Sequence, residues 1–393
     1  MEQLVQQILE SDLSVFIGLG ILFLFFCIQL YYYTYYYSAS IRHNKKVNKA
    51  GIEYTNKLPG ISVVISAQDD GYYLENILPN ILKQDYPKYE VIVVNDGSCD
   101  DTVDILNKMQ QEHKNLKTSF LPRDAKFKSR RKICIAIAIK SAENDIIVLT
   151  SADCKPKDDQ WLKSIGQNYT TGNELVLGAS RRENTEGRLG NLSDFDNLFT
   201  TMEYTGYALC KKTFRGTINN MAFSRKAYND VKGYSRHLNL ESGEEDLFVQ
   251  DVAKECEVKI EERPSAILVR DKEITSKVFR MEHEQRMENR KLYPFNIRFN
   301  IALELCSRYL FWGMAITMML TTGINMEWIA LTIAAVLFLS REITQAVVVS
   351  KNAKLLGCKA HLLGMPVYEM ILPLYELYLS TIGRIGRKRH EIN

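Results

Sequence analysis

Three short apolar segments of this chain each end in carboxylate side chains, and this pattern constrains the fold more than any other feature. The segments ISVVIS, VIVVND and DIIVLTSAD occupy residues 61–66, 91–96 and 145–153. Apolar runs of this length predict buried strands of a parallel sheet, in which ligands bind just beyond the carboxyl ends. The sequence therefore predicts an acidic crevice at one sheet edge. Such a crevice suits a metal-bridged phosphate ligand whose base and ribose are hydrogen-bonded by carboxylates.

Helical segments separate the predicted strands. Apolar residues recur at helical spacing after the first strand and again after the second, a further strand is predicted near 116–121, and a helix at 130–142 precedes the strand at 145–153. This alternation predicts an α/β fold with a mostly parallel sheet in a mononucleotide-binding arrangement. The sequence contains neither G-x-G-x-x-G nor G-x-x-x-x-G-K-[ST], so neither a dinucleotide fold nor a P-loop enzyme is supported.

Composition excludes several classes of partner and site. Net charge is only +3 over 393 residues, so no nucleic acid or other strong polyanion is expected as a partner. The eight cysteines are scattered without a C-x-x-C pair, which favours free thiols over a disulfide framework or a zinc site. The six histidines show no metal-binding spacing.

The N-terminal region predicts a membrane anchor over residues 1–40. Leu13–Tyr37 carries no formal charge, and about 20 such residues span a bilayer. No Lys or Arg precedes this run, so it is unlike a cleaved signal peptide. A basic stretch follows at 42–49, and the positive-inside rule then places the next domain in the cytoplasm. We expect a multi-pass protein of the inner (cytoplasmic) membrane; the alternative is a buried core helix.

The C-terminal region predicts further membrane segments over residues 303–383, followed by a basic tail at 384–393. Tyr309–Gly323 and Met326–Val349 suggest a helical hairpin. Arg341 and Glu342 lie inside the second segment, where charges are costly unless they pair or reach the interface. For Ala360–Gly383 we expect an amphipathic interfacial or re-entrant segment against the cytoplasmic face.

Four motifs between these membrane regions carry a family resemblance. In chain order they are VVIS-AQDD, QDYPKYEVIVVNDGSCDDT, SADCKPKDDQWL and SGEEDLFVQDV, and the stretch GTINNMAFSRKAY at 216–228 precedes the last. In this order and spacing, residues 58–292 resemble the membrane-bound glycosyltransferases of family 2. The resemblance implies the GT-A fold, a mixed, mostly parallel sheet flanked by helices. It also implies an inverting transfer from a nucleotide-diphosphate sugar, with a UDP-sugar as the expected donor.

The resemblance assigns roles to individual residues. Asp246 would be the general base that takes a proton from the acceptor hydroxyl, and Asp153, at the end of a D-x-D motif, would bind Mn²⁺ or Mg²⁺. This divalent cation would neutralise the diphosphate leaving group, since hard oxygen ligands suit such ions. The residues expected on the nucleotide-sugar side are Ala67, Asp69, Asp70, Asp96, Arg131, Lys132, Ser151 and Asp153. The residues expected on the acceptor side are Asn220, Glu245 and Arg286.

Two departures from the family pattern shape the functional prediction. The D-x-D motif is Ser151-Ala152-Asp153, so its first carboxylate is missing. The Q-x-x-R-W motif, with which processive synthases hold a growing chain, is at best His283-Glu284-Gln285-Arg286-Met287. The sequence therefore favours a single transfer to a lipid-linked or other glycan acceptor at the membrane, in cell-envelope glycan synthesis. The alternatives are a processive polysaccharide synthase and a catalytically degenerate scaffold that binds a nucleotide sugar.

Overall fold

A computed structural model describes residues 13–50, 54–183 and 186–390. Residues 1–12 of the predicted anchor and residues 391–393 of the predicted basic tail lie outside the described residues.

The predicted strands form the parallel half of a seven-stranded mixed sheet. The strands are β1 (Ile61–Ala67), β2 (Tyr89–Asn95), β3 (Leu116–Phe120), β4 (Ile146–Ser151), β6 (Glu174–Gly178), β8 (Met221–Ser224) and β9 (Glu257–Glu261). β1 pairs in parallel with β2 and β4, and β2 pairs in parallel with β3. The order across the sheet is β3-β2-β1-β4-β8-β6-β9, with β8 antiparallel to both neighbours. The prediction of a mixed, mostly parallel sheet is confirmed.

Helices cover both faces of this sheet. Along β1, Val63 and Ile65 face one hydrophobic core and Val64 faces the other, as the two-residue period of a strand requires. The helices of this region are α3 (Gly71–Leu82), α4 (Thr102–Glu112), α5 (Arg130–Ser141), α6 (Trp161–Gly166), α7 (Gly187–Leu209), α8 (Arg225–Asp230), α9 (Leu247–Val252) and α10 (Ser276–Arg290). The predicted helix at 130–142 matches α5 closely.

A second, three-stranded sheet lies beside the end of β4. Its strands are β5 (Cys154–Pro156), β7 (Ser180–Arg182) and β10 (Leu268–Arg270), in the order β5-β10-β7. Arg270 is the register partner of Cys154 on one side and of Arg182 on the other. This sheet places Arg270 next to the residue that follows Asp153, and Arg182 next to Arg270 on the following strand.

The terminal regions form long helices. They are α1 (Leu13–Tyr31), a π-helical turn (Tyr32–Tyr37), α2 (Ala39–Ala50), α11 (Phe295–Ile324), α12 (Trp328–Leu356) and α13 (Met365–His390). Among the described residues, Leu13–Val47 and Trp328–Leu356 are long and apolar enough to cross a membrane, by length and composition. These helices support membrane association, whereas the number of spans and the cytoplasmic side of the catalytic domain stay predictions.

The predicted C-terminal hairpin is present as α11 and α12. The first predicted segment, Tyr309–Gly323, is the second half of a helix that begins earlier, at Phe295. Arg341 on α12 is buried and contacts Glu369 on α13 at 2.7 and 3.0 Å, which provides the partner that its position requires. The predicted interfacial segment therefore packs against the hairpin through this ion pair.

Candidate active site

A cavity of about 290 Å³ opens at the carboxyl ends of β1 and β4. It is bounded by the loop that precedes α9, by the second sheet and by α10. Seven predicted site residues line it, namely Asp70, Arg131, Ser151, Asp153, Glu245, Asp246 and Arg286. The acidic edge expected from the sequence is therefore present, and it is interleaved with arginines.

Asp246 lies buried in the cavity wall at the start of α9. Tyr293 Oη donates a hydrogen bond of 2.7 Å to its Oδ2, and Asn289 Nδ2 donates one of 3.2 Å to its Oδ1. The Leu247 backbone N–H also donates to Oδ1, at 2.9 Å. These contacts fix the orientation of a carboxylate that lines the cavity without forming an ion pair with a described residue.

Gly243 allows the chain to turn into this position. Its φ is +114°, in the region that favours glycine, and a Cβ there would lie 3.1 Å from the Leu247 side chain. The Phe248 N–H donates to the Gly243 carbonyl, which ties the turn to the beginning of α9. The glycine before the acidic run thus sets the direction in which Asp246 enters the cavity.

The two glutamates before Asp246 differ in environment. Glu245 accepts a hydrogen bond of 3.2 Å from the Ile218 N–H and lies 3.4 Å from Arg215. Glu244 is buried, lines the cavity, and its Oε2 has no hydrogen-bond partner among the described residues. Burial raises the pKa of the Glu244 carboxyl above 4.5.

Asp153 and Ser151 are both engaged by neighbouring side chains. Arg270 Nε lies 3.1 Å from Asp153 Oδ2, and Ser151 Oγ donates a hydrogen bond of 2.7 Å to Asn219 Oδ1. Burial alone would raise the pKa of the Asp153 carboxyl, but the charge of Arg270 lowers it below 3.8. Asp70, on the neighbouring strand end, is held by Lys272 Nζ at 2.9 Å.

These residues do not fit a divalent cation. Asp153 is the one carboxylate of the altered D-x-D motif, and it is paired with a guanidinium. Within the described ranges, no three His, Cys, Asp or Glu side chains are grouped so that they could hold a metal ion. The predicted Mn²⁺ or Mg²⁺ at Asp153 therefore gains no support from the donor set.

Three predicted nucleotide-side residues, Ala67, Asp69 and Asp96, lie at the strand ends but are not part of the cavity wall. The Asp96 N–H donates to the Ala67 carbonyl at 2.8 Å, which joins the ends of β2 and β1. The Asp96 carboxylate pairs with Arg130 at 2.7 Å, and Asp69 Oδ1 accepts from the Cys99 N–H at 2.7 Å. In the structure these side chains hold the loop after β2.

Lys132, expected on the nucleotide-sugar side, is not among the residues that line the cavity. Lys132 is fully buried, and its Nζ donates hydrogen bonds to three backbone carbonyls. The acceptors are His237 at 2.9 Å, Leu240 at 2.8 Å and Ser242 at 2.6 Å. Burial lowers the pKa of this lysine. Lys132 therefore anchors the loop that leads to Gly243 and the predicted base.

Asn220, predicted on the acceptor side, also lies in the interior. Its Nδ2 donates to the Ala179 and Ala266 carbonyls at 2.8 and 2.7 Å, and its Oδ1 accepts from Trp161 Nε1 at 3.2 Å. All these hydrogen bonds are made inside the protein. Through them the side chain, which directly precedes β8, is joined to the end of β6 and to the segment before β10. Its neighbour Asn219 lines the cavity instead.

Arg286 connects the main cavity with a second one. It forms two hydrogen bonds with Asp196, of 2.9 and 3.0 Å. Arg286, Asp196 and Thr200 line both the main cavity and a neighbouring cavity of about 80 Å³. The second cavity extends between α7 and the helices α11 and α13, and burial raises the pKa of Glu203 in its wall. The predicted acceptor-side residue thus lies on the way from the site to the long C-terminal helices.

Five residues of the site were not predicted from the sequence, namely Arg182, Arg270, Lys272, Asn289 and Tyr293. They lie between 29 and 140 residues after Asp153, on or just after strands of the second sheet and on or just after α10. None belongs to a motif that the sequence analysis used. For Arg270, Lys272 and Asn289, the sequence offers the density of charged residues from 261 to 291, which does not indicate where any side chain lies. Arg182 and Tyr293 are outside this segment.

Comparison with known proteins identifies the domain. Residues 62–232 match the family model described as glycosyl transferase family 2. Poly-β-1,6-N-acetyl-D-glucosamine synthase of Staphylococcus aureus is 25% identical over 229 residues, which are 56% of this chain and 50% of that protein. The synthase of the same name from Staphylococcus epidermidis is 24% identical over 208 residues, which are 50% of this chain and 45% of that protein.

A solved structure shows the same fold. The mannosyltransferase from Pyrobaculum calidifontis, in complex with GDP-Man and Mn²⁺, superimposes with a TM-score of 0.52 at 16% identity. The superposition covers 83% of this chain and 97% of that one. The present chain spans about half the length of the curated relatives it matches. The motifs, the sheet order and these comparisons together show that the chain carries a glycosyltransferase family 2 domain of the GT-A fold.

Proposed function

We propose that this protein is an inverting glycosyltransferase of cell-envelope glycan synthesis. It transfers a sugar from a nucleotide-diphosphate sugar, with UDP as the expected carrier, to a hydroxyl of a membrane-associated, lipid-linked acceptor. The observation that carries the proposal is Asp246, a buried carboxylate that faces the cavity and is oriented by Tyr293 and Asn289.

Asp246 has the properties that a single displacement requires. In the transfer, the acceptor oxygen forms a bond to the anomeric carbon as the bond from that carbon to the diphosphate oxygen breaks. The acceptor proton passes to the Asp246 carboxylate, and the electron pair of the broken bond leaves with the diphosphate. One positioned base on the face opposite the leaving group is sufficient for this inversion.

The second cavity supports a membrane-proximal acceptor. It adjoins the main cavity, with which it shares Asp196, Thr200 and Arg286 in its wall, and it reaches α11 and α13. Carboxylates such as Glu203 line it and can accept hydrogen bonds from sugar hydroxyls. Guanidinium groups such as that of Arg308 also line it and suit phosphates. An acceptor attached to a lipid could therefore reach Asp246 from the side of the long helices.

Processive polysaccharide synthesis is the second candidate function. The curated relatives are named as synthases of a polymer of N-acetylglucosamine, which favours this alternative. The altered Q-x-x-R-W motif, His283 to Met287, favours a single transfer. The length of the product made from a labelled donor distinguishes the two.

A divalent cation stays a prediction for this chain. The related mannosyltransferase structure contains Mn²⁺, and Asp153 is the residue that would hold such an ion here. Because Asp153 is paired with Arg270 and Ser151 with Asn219, the transfer described above uses no step through a metal.

The test is a transfer assay with purified full-length protein, a panel of radiolabelled nucleotide sugars and membrane lipid extract as acceptor source. One donor should give a labelled glycolipid. Asp246→Asn should lower this transfer by about 10²–10⁴-fold, since general-base catalysis contributes an amount of this order. Donor affinity should change little, because the base acts on the acceptor.

Glu257→Gln, an exposed change on β9, is the matched control and should leave transfer unchanged. Transfer by Asp246→Asn at the wild-type rate would refute the role of the base. Donor binding by the wild-type protein with no transfer or donor hydrolysis would instead support the degenerate scaffold.

A further inference from the structure

Three basic side chains converge on the carboxylates at the ends of β1 and β4. Arg270 pairs with Asp153 at 3.1 Å, and Lys272 pairs with Asp70 at 2.9 Å. Arg182, Arg270 and Lys272 all line the main cavity together with these two carboxylates. The cations therefore lie where the D-x-D motif ends, at the place that the fold gives to a donor diphosphate.

The backbone fixes the two arginines. Arg182 and Arg270 are register partners on the parallel strands β7 and β10, so their side chains leave the sheet next to each other. Arg270 is also paired with Cys154, the residue after Asp153. Glu282 on α10 accepts from Arg182 at 2.9 and 3.1 Å and lies 3.6 Å from Arg270. Both guanidinium groups are thus held in position before any ligand binds.

Their chemistry matches a diphosphate better than a metal ion. Arginine presents a planar set of N–H donors that fits phosphate oxygens, and lysine adds a point charge. A divalent cation at Asp153 would be placed beside Arg270 and near Lys272, and both would repel it. Lys272 is the most accessible of the three, with 42% of its side chain exposed, so it can exchange Asp70 for a phosphate with little rearrangement.

We propose that Arg182, Arg270 and Lys272 bind the donor diphosphate directly and neutralise it as it leaves, in place of a divalent ion. This inference rests on the proposed transferase function and names the residues that hold the donor. Asp153 is then a positioning residue that keeps Arg270 directed towards the diphosphate.

The test is calorimetric titration of the purified full-length protein with UDP and with UMP, in excess EDTA and in Mn²⁺. We expect the UDP affinity in EDTA to stay within about threefold of that in Mn²⁺. Lys272→Ala and Arg270→Gln should weaken UDP binding by about tenfold or more and UMP binding less, since charged hydrogen bonds are lost to the second phosphate. Arg280→Gln removes a positive charge from an exposed site outside the cavity and should change neither.

Asp153→Asn separates the two roles of the carboxylate. If Asp153 is a metal ligand, the variant loses UDP affinity in Mn²⁺. If it positions Arg270, the variant binds UDP in EDTA about as well as the wild-type protein, because the asparagine oxygen can still accept a hydrogen bond from Arg270 and no longer carries a charge that repels the diphosphate. Should Arg270→Gln unfold, Lys272→Ala decides the matter, because 42% of the Lys272 side chain is exposed and its partner Asp70 still accepts a hydrogen bond from the Gln68 N–H.

The inference is overturned if UDP binds only with Mn²⁺ and this binding is lost in Asp153→Asn. The proposed function can fail separately. UDP binding in EDTA without any sugar transfer would support the cationic site and contradict the transferase, whereas transfer that requires Mn²⁺ would support the transferase and contradict the cationic site. Absence of UDP binding in both conditions contradicts both.

Discussion

Replacing Glu262 by glutamine should remove a pH dependence from the stability of this protein. Glu262 follows β9 and is buried where the catalytic domain meets Ser40 of α2 and Thr205 of α7, whose hydroxyls lie 2.9 Å apart. Burial raises the pKa of Glu262 from 4.5 to about 7, although the two hydroxyls partly oppose this. The protonated carboxyl is therefore the form that the fold favours.

The sign and size of this pH dependence follow from the thermodynamic linkage between protonation of Glu262 and folding. The pKa is raised in the folded state, so the stabilisation is fully present below pH 4.5 and is lost as the pH rises through about 7. The difference between 4.5 and about 7, at about 1.4 kcal/mol per pH unit, corresponds to about 3 kcal/mol at pH 8. Glutamine keeps the shape but does not ionise, so the variant avoids this loss.

The assay is urea unfolding of detergent-solubilised protein at several pH values between about 4.5 and 8. The free energy of unfolding of Glu262→Gln minus that of the wild type should rise by about 3 kcal/mol over this range. Glu257→Gln, exposed on the same strand, should give a constant difference. A constant difference for Glu262→Gln as well would refute the argument that this carboxyl is protonated in the folded protein.

Three further changes test other parts of the structure. Lys132→Met should lower the transfer rate about tenfold or more and leave UDP affinity unchanged, because charged hydrogen bonds to the loop before Asp246 are lost. An equal loss of UDP affinity would contradict this role. Gly243→Ala should lower transfer in the same assay, since φ of +114° strains alanine, and normal transfer would show that the turn can relax. Arg341→Met should lower the free energy of unfolding in urea by about 3–5 kcal/mol, because Glu369 is left buried without its partner. The double variant Arg341→Met with Glu369→Leu should recover most of this free energy. No recovery would mean that the ion pair is not the cause of the loss.

Local patterns predicted the sheet and its acidic edge well. The strands at 61–66, 91–96 and 145–153 are apolar because both faces of the sheet are covered, and the carboxylates follow where parallel strands end. Asp70, Asp153 and Asp246 meet in one cavity because the sheet brings their strand and helix ends together. These features depend on short-range periodicity and on motif order, which a sequence displays directly.

Contacts between distant segments could not be predicted in the same way. Lys132 lies in the first turn of α5 and is surrounded by basic residues in sequence, yet it donates to carbonyls 105–110 residues away. Asn220 lies within the motif GTINNMAFSRKAY, but its side-chain amide donates hydrogen bonds to the backbone of two other segments. Arg270 reaches Asp153 only through the pairing of β10 with β5, a three-residue ladder without a sequence signal of its own.

The buried Arg341–Glu369 pair has a consequence for how the long helices enter a membrane. Arg341 lies 28 residues before its carboxylate partner, so α12 is synthesised while that partner is still missing. An arginine near the centre of an inserting helix costs about 2.5–3.5 kcal/mol during translocon-mediated insertion. Gln29 of α1, made much earlier, already offers an oxygen at 3.2 Å from the guanidinium. We therefore predict that integration of α12 depends on one helix made before it and one made after it, so that the three would enter a bilayer as a single cooperative unit.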